Sequence, residues 1–215
     1  MPGKFHHEQL YRGDALERLA AIPIVICGAG ALGSHLADNL ARHGAGRLSV
    51  IDHDRVEEHN VSTQLYGEAE VGIWKVEALR NRLFRATGVE LETVRRTLDP
   101  SNAAKLFAGA GLVIDAFDNR AARQAVQEAV RAAGLECLHV GLAADYAEIV
   151  WDAAYIVPPD PAAGDACDYP LARNTILLAV AVASEAILRR LAGGPPESHS
   201  VTLLDFRVTP VTTAG

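Results

Sequence analysis

The stretch Ile22 to Asp54, IPIVICGAGALGSHLADNLARHGAGRLSVIDHD, constrains this chain more than any other. The β-branched run Ile24-Val25-Ile26 leads into Gly28-Ala29-Gly30-Ala31-Leu32-Gly33. A helix-like segment follows over 31–43, and then a second apolar run, Leu48-Ser49-Val50-Ile51, closed by Asp52. A strand, a glycine turn, a helix and a second strand tipped by an acid leave few folds open. Gly28 permits the tight turn, Gly30 lets the backbone approach a phosphate, and Gly33 lets the helix pack against the strand. The helix that opens at Ala31 offers free N–H groups to an anion. Asp52 stands where a carboxylate accepts hydrogen bonds from ribose hydroxyls. The pattern predicts a nucleotide site and leaves open whether the ligand is a nicotinamide cofactor or ATP.

The rest of the chain alternates in the same way. Expected helices cover 14–21, 72–87 (with Val76, Leu79, Leu83 and Phe84 on one face), 103–107, 120–133 and 175–191. Expected strands cover 91–97, 112–115, 137–140 and 147–157, and a last strand covers 200–208. A doubly wound, Rossmann-like α/β fold follows, its mostly parallel sheet covered by helices on both faces. We read 1–21 as an N-terminal arm with a short helix and 22–215 as one domain. The loops 54–71 and 158–170 are longer than simple connections need.

Composition narrows the function classes. A formal charge of −7 disfavours a broad phosphate-backbone surface, so nucleic acid is not the expected partner. Cys27, Cys137 and Cys167 are far apart and form no CxxC pair, which argues against a disulfide framework or a zinc knuckle. No secretory h-region or membrane-length apolar run is visible, so a cytoplasmic protein without a membrane partner is expected.

Downstream residues separate the nucleotides. Asp52-His53-Asp54-Arg55-Val56 is followed by Asn60, Gln64, Gly72-Ile73-Trp74-Lys75 and Asp115-Ala116-Phe117-Asp118-Asn119. In a parallel sheet, the tips of the second and fourth strands flank the glycine turn, so Asp52, Lys75 and Asp118 should converge. A lysine with two acids suits a triphosphate with magnesium better than a hydride carrier. Blander roles stand beside these. Lys75 could be a solvated lysine, Asp118-Asn119 could cap the helix at Arg120, Asp54 could only order its loop, and Asp115 is expected to be structural.

The segments VICGAGALGSHLADNLARHG, IDHDRVEEHN, VGIWKVEALRNRL and VIDAFDNRAARQ, in this order and spacing, resemble the ThiF/MoeB/HesA superfamily of E1-like adenylating enzymes. The resemblance runs from about His7 to Leu191. It implies an ATP- and Mg2+-dependent adenylyltransferase that joins a carboxylate to AMP and releases pyrophosphate. The carboxylate would be the C-terminus of a small carrier or ubiquitin-like protein. By the resemblance, Asp52 binds the ribose, Lys75 contacts the phosphates, and Asp118 holds magnesium and supports catalysis. Gly28, Gly30, Ala31, Gly33, Asp54, Asn60, Gln64 and Asn119 complete the ATP site.

One departure stands out. The family's Asn-Arg-Gln is Ser62-Thr63-Gln64 here, so the loop lacks its phosphate-binding arginine. Arg12, supplied from the arm across a homodimer, is the candidate replacement, and Arg55 is the nearer alternative. Cys167 is the candidate nucleophile for a thioester or persulfide, but Asp165 and Asp168 flank it and oppose thiolate formation. Cys27 and Cys137 are expected to be small core hydrophobes. His139, at a strand tip near the crevice, is a weaker candidate for substrate contact. The alternatives to an adenylyltransferase are an NAD-dependent oxidoreductase and a nucleotide-binding partner subunit without turnover.

Overall fold

Residues 3–159 and 170–211 are described by a computed structural model. Five strands run parallel: β1 (Ile24–Cys27), β2 (Leu48–Ile51), β3 (Glu92–Val94), β4 (Leu112–Asp115) and β5 (Cys137–Ala143). Three more, β6 (Tyr146–Trp151), β7 (His199–Thr202) and β8 (Arg207–Pro210), extend the sheet antiparallel. The strand order is β3-β2-β1-β4-β5-β6-β7-β8. The chain winds outward from β1 through β2 to β3, then returns to the other side of β1 as β4. That reversal opens a crevice at the carboxyl ends of β1 and β4, where such sheets take ligands.

The unbroken apolar run of β1 is explained by helices on both sides of it. Ile24 and Ile26 pack into one core cluster with α1 (His6–Ala21), α2 (Ala31–His43), α3 (Lys75–Thr87) and α6 (Arg173–Leu191). Val25 and Cys27 point the other way, into a second cluster with α4 (Ala103–Leu106) and α5 (Arg120–Ala133). Cys27 and Cys137 lie in that second cluster as small hydrophobes, and burial pushes both thiols well above their ordinary range. α2, α3 and α5 each end on a left-handed glycine, Gly44, Gly88 and Gly134 respectively.

Three expectations need correction. The first helix begins at His6, not at residue 14, and kinks at Arg12 (φ −150°, ψ 42°). Phe84 is 56% exposed, although Val76, Leu79 and Leu83 are buried. At about 100° per residue, Phe84 lies a quarter-turn off the stripe those three form. The tail is a hairpin of β7 and β8 rather than one strand, and Phe206 in its turn takes a positive φ of 56°. The apolar pair Leu203-Leu204 hid that turn from a reading by hydropathy.

Gly33 registers α2 against the turn after β1. A Cβ at this position would lie 1.9 Å from the carbonyl oxygen of Gly28. Gly33→Ala is therefore expected to lower stability by about 3 kcal/mol, read as a lower denaturation midpoint. An unchanged midpoint would show that the helix shifts without strain.

Candidate functional site

The glycine turn is built around one buried carboxylate. Gly28 has a φ of +98°, and its N–H donates to Ile51 O at 2.8 Å. Asp52 is 7% exposed. Its Oδ2 accepts the Ala29 N–H and its Oδ1 accepts the Asp54 N–H, both at 2.7 Å. Burial raises this carboxyl above its ordinary range, while Lys75 and the two backbone N–H groups pull it down. Tyr66 fixes the turn from below by donating its hydroxyl to Ala29 O at 2.8 Å.

Lys75 is the first residue of α3 and is 8% exposed. Its Nζ lies 3.0 Å from Asp54 Oδ2, and its backbone N–H donates to Asp54 O at 2.9 Å. The guanidiniums of Arg55 and Arg95 both lie over the preceding Trp74 ring, 3.9 and 4.6 Å from its centroid. Arg55 also donates to Gly72 O at 2.6 Å, so it braces this wall.

The third side comes from the turn between β4 and α5. Asp115 Oδ1 accepts the Phe117 N–H at 3.1 Å, and Asn119 caps α5 by accepting the Ala122 N–H at 2.9 Å. Asp118, between them, is exposed. A Cβ on Gly28 would meet Ala116 O at 3.1 Å, so the missing side chain lets this turn close onto the glycine turn. The cleft so formed has a volume of about 310 Å³. Gly28, Gly30, Asp52, Asp54, Lys75, Asp118 and Asn119 all line it. Its titratable lining also includes His53 and Asp99, so four carboxylates face one lysine. The lining is acidic on balance.

The remaining candidates among the described residues stand outside this lining. Ala31 heads α2 and Gly33 serves its packing. Asn60 is buried, and its side-chain oxygen accepts the Glu57 N–H at 2.9 Å. Gln64 has a buried Oε1 without a hydrogen-bond partner among the described residues. Thr63, where the family has arginine, directs its carbonyl to His35 Nε2 at 3.2 Å, and Arg173 donates to the adjacent Ser62 O at 3.2 Å. Arg12 is ion-paired with Glu185 and Glu8 of its own chain. Cys167, with Asp165 and Asp168, lies outside the described residues. His139 is corrected: it is 1% exposed, held between Asp115 and Asp152, and it faces no solvent. Sequence reasoning missed the wall formed by Thr97, Leu98, Asp99 and Pro100. The Asp99-Pro100-Ser101-Asn102 run carries the residue types of a helix start, which say nothing of a cleft wall.

A doubly wound sheet with a glycine turn, an acid-tipped second strand and a polar cleft at the switch point defines a Rossmann-like domain. The chain belongs to the ThiF family, whose model matches residues 6–155. It is 40% identical over 119 residues to mouse (Mus musculus) "Adenylyltransferase and sulfurtransferase MOCS3", covering 54% of this chain and 26% of that one. It is 34% identical over 125 residues to the "SAMP-activating enzyme E1" of Haloferax volcanii, covering 57% of this chain and 46% of that one. The chain thus spans less than half the length of these curated relatives. E. coli MccB, solved with MccA-N7isoASN, superposes with a TM-score of 0.85 at 16% identity, covering 100% of this chain and 72% of that chain. MccB solved with ATP gives 0.78 at 17% identity, covering 97% and 69%. At such identities the superpositions show the shared fold. Among the described residues, no helix is long and apolar enough to cross a membrane.

A Cβ at Gly30 would meet nothing within 4 Å, so it would project into open space at the turn. Gly30→Ala should leave stability within about 0.5 kcal/mol of wild type. ATP affinity, measured by calorimetry, should fall about tenfold as the methyl group displaces the phosphates. Unchanged affinity would remove the turn from the binding site.

Proposed function

We propose that the chain is an ATP-dependent adenylyltransferase acting on a carboxylate, the C-terminus of a small ubiquitin-like or sulfur-carrier protein. The observation that carries this reading is the convergence of Asp52, Lys75 and Asp118 on the cleft at the glycine turn. The names of the relatives support it, since an adenylyltransferase and an E1 activating enzyme share the matched segment. In this reading, Asp52 accepts hydrogen bonds from the ribose hydroxyls with lone pairs left free by Ala29 and Asp54. The N–H groups at the start of α2 and the Lys75 ammonium bind the phosphates, with Lys75 turning from Asp54 to do so. The carboxylate attacks the α-phosphorus, the bond to the β-phosphate oxygen breaks, and pyrophosphate leaves with that electron pair. An amine or sulfur nucleophile then attacks the acyl carbon, takes the acyl group and releases AMP.

The lining fits a magnesium ion. Its donors are hard carboxylate oxygens, one of them on the exposed Asp118, and their excess over Lys75 calls for a cation. Asp118 would hold the ion, which would neutralise charge developing on the phosphates. A cytoplasmic homodimer belongs to the same reading. Leu177 of α6 and Val208 of β8 expose apolar surface at 42% and 47%. Arg12 would have to leave Glu185 to act across such a dimer.

One observation favours the partner subunit without turnover: no arginine lines the cleft among the described residues. ATP–pyrophosphate exchange, assayed with candidate carrier proteins, separates the two readings. Wild type should exchange, and Asp118→Ala should lose about 100-fold or more in rate while keeping its fold and its far-UV spectrum. Undiminished exchange in the variant would refute the role given to Asp118. ATP binding by a wild type that never exchanges would favour the partner subunit.

A further inference from the structure

Behind the Asp118 turn lies a buried polar network that the proposed chemistry does not use. His139, in β5, presents Nδ1 to Asp115 Oδ2 at 2.8 Å and Nε2 to Asp152 Oδ1 at 3.1 Å. Its ring stacks on Tyr155 with centroids 3.7 Å apart and planes 10° from parallel. The Tyr155 hydroxyl accepts from Arg123 at 2.8 Å, and Arg123 also donates to Val140 O at 3.1 Å. From α5, Gln127 and Arg131 reach the outer carboxylate, Asp152, at 3.3 and 2.8 Å. Asp115 and His139 are sealed, at 0% and 1% exposure.

The hydrogen bonding of this bridge is restrictive. An ionised carboxylate only accepts, and a neutral imidazole has one N–H to give. Two carboxylates facing one ring therefore require one more proton than a neutral histidine supplies, held on the ring or on a carboxyl group. With that proton in place, both contacts are made, and the stack on Tyr155 keeps the ring from turning. The network reaches the cleft through Asp115. One oxygen faces His139 while the other accepts the Phe117 N–H, in the middle of the turn that carries Asp118. The Phe117 ring in turn lies where a Cβ on Gly28 would meet its Cδ1 at 3.3 Å.

We propose that His139 is a positioning residue for Asp118. By bridging Asp115 and Asp152, it fixes the carboxylate that holds the 115–118 turn against the glycine turn. The catalytic part of this inference rests on the adenylyltransferase reading, but the structural part does not.

The test is hydrogen exchange at the Phe117 amide in the nucleotide-free full chain, followed by ATP–pyrophosphate exchange kinetics. His139→Phe keeps a ring against Tyr155 and removes both nitrogens. Its Phe117 amide should exchange about tenfold faster or more, with β1 amides unchanged. Its kcat per folded molecule should fall about tenfold, with KM for ATP held within about twofold, because Asp52 and the glycine turn are untouched. Arg131→Ala, which removes a partly exposed partner of Asp152, should change neither quantity. If His139→Phe does not fold, Asp152→Ala decides the matter: it frees Nε2 and should loosen the same amide. A Phe117 amide that stays protected, or one that loosens while kcat and KM both hold, would overturn the proposal. A wild type without exchange activity would defeat the adenylyltransferase reading alone, and the amide measurement would still decide the positioning role.

Discussion

The site depends on the buried carboxylate of Asp52. One oxygen ties the tip of β2 to the turn after β1 through Ala29, and the other starts the loop that delivers Lys75 through Asp54. An acid at this depth is disfavoured by desolvation, and its two backbone donors and the nearby lysine offset part of that cost. Loss of this side chain would leave the Ala29 and Asp54 amides without their acceptor and would uncouple two walls of the cleft. One residue thus ties together two walls of the cleft and the loop that delivers its only lining lysine among the described residues.

The charge of the cleft gives the proposed chemistry its logic. Asp52, Asp54, Asp99 and Asp118 face Lys75, so the lining alone repels a triphosphate. In the proposed reading, a cation that arrives with the nucleotide, or a guanidinium contributed from elsewhere, offsets that charge. The Ser62–Thr63 segment does not supply one from its own side chains, although Arg173 stands against the Ser62 carbonyl. In the proposed positioning role, the buried Asp115–His139–Asp152 bridge, with Arg123 beside Asp115, holds the third wall while Asp118 at its surface stays accessible.

Much of this was legible in the chain itself, because local rules and tertiary demands agreed. β1, β2 and β4 are short apolar runs buried on both faces, and α2 and α5 match their expected residue ranges. The convergence of Asp52 and Asp118 follows from strand order once the sheet is parallel, and Lys75 joins them through its contacts with Asp54. The features that escaped depend on contacts between distant segments. His139 read as a strand-tip residue because nothing local shows that Asp152 and Tyr155 close over it. Asp99 walls the cleft only because β3 pairs beside β2 and brings its exit segment across the opening. Phe84 escaped for a simpler reason, since a single residue step turns a helix position away from its buried stripe.

In the proposed function, the cleft at the glycine turn is an ATP site organised by Asp52. The decisive measurement is a crystal structure of the full chain with magnesium and a non-hydrolysable ATP analogue. The ribose hydroxyls are expected on Asp52, the phosphates over Gly28–Gly30 beside Lys75, and the metal on Asp118. A nucleotide bound elsewhere, or one whose ribose avoids Asp52 while its phosphates avoid the glycine turn, would contradict it.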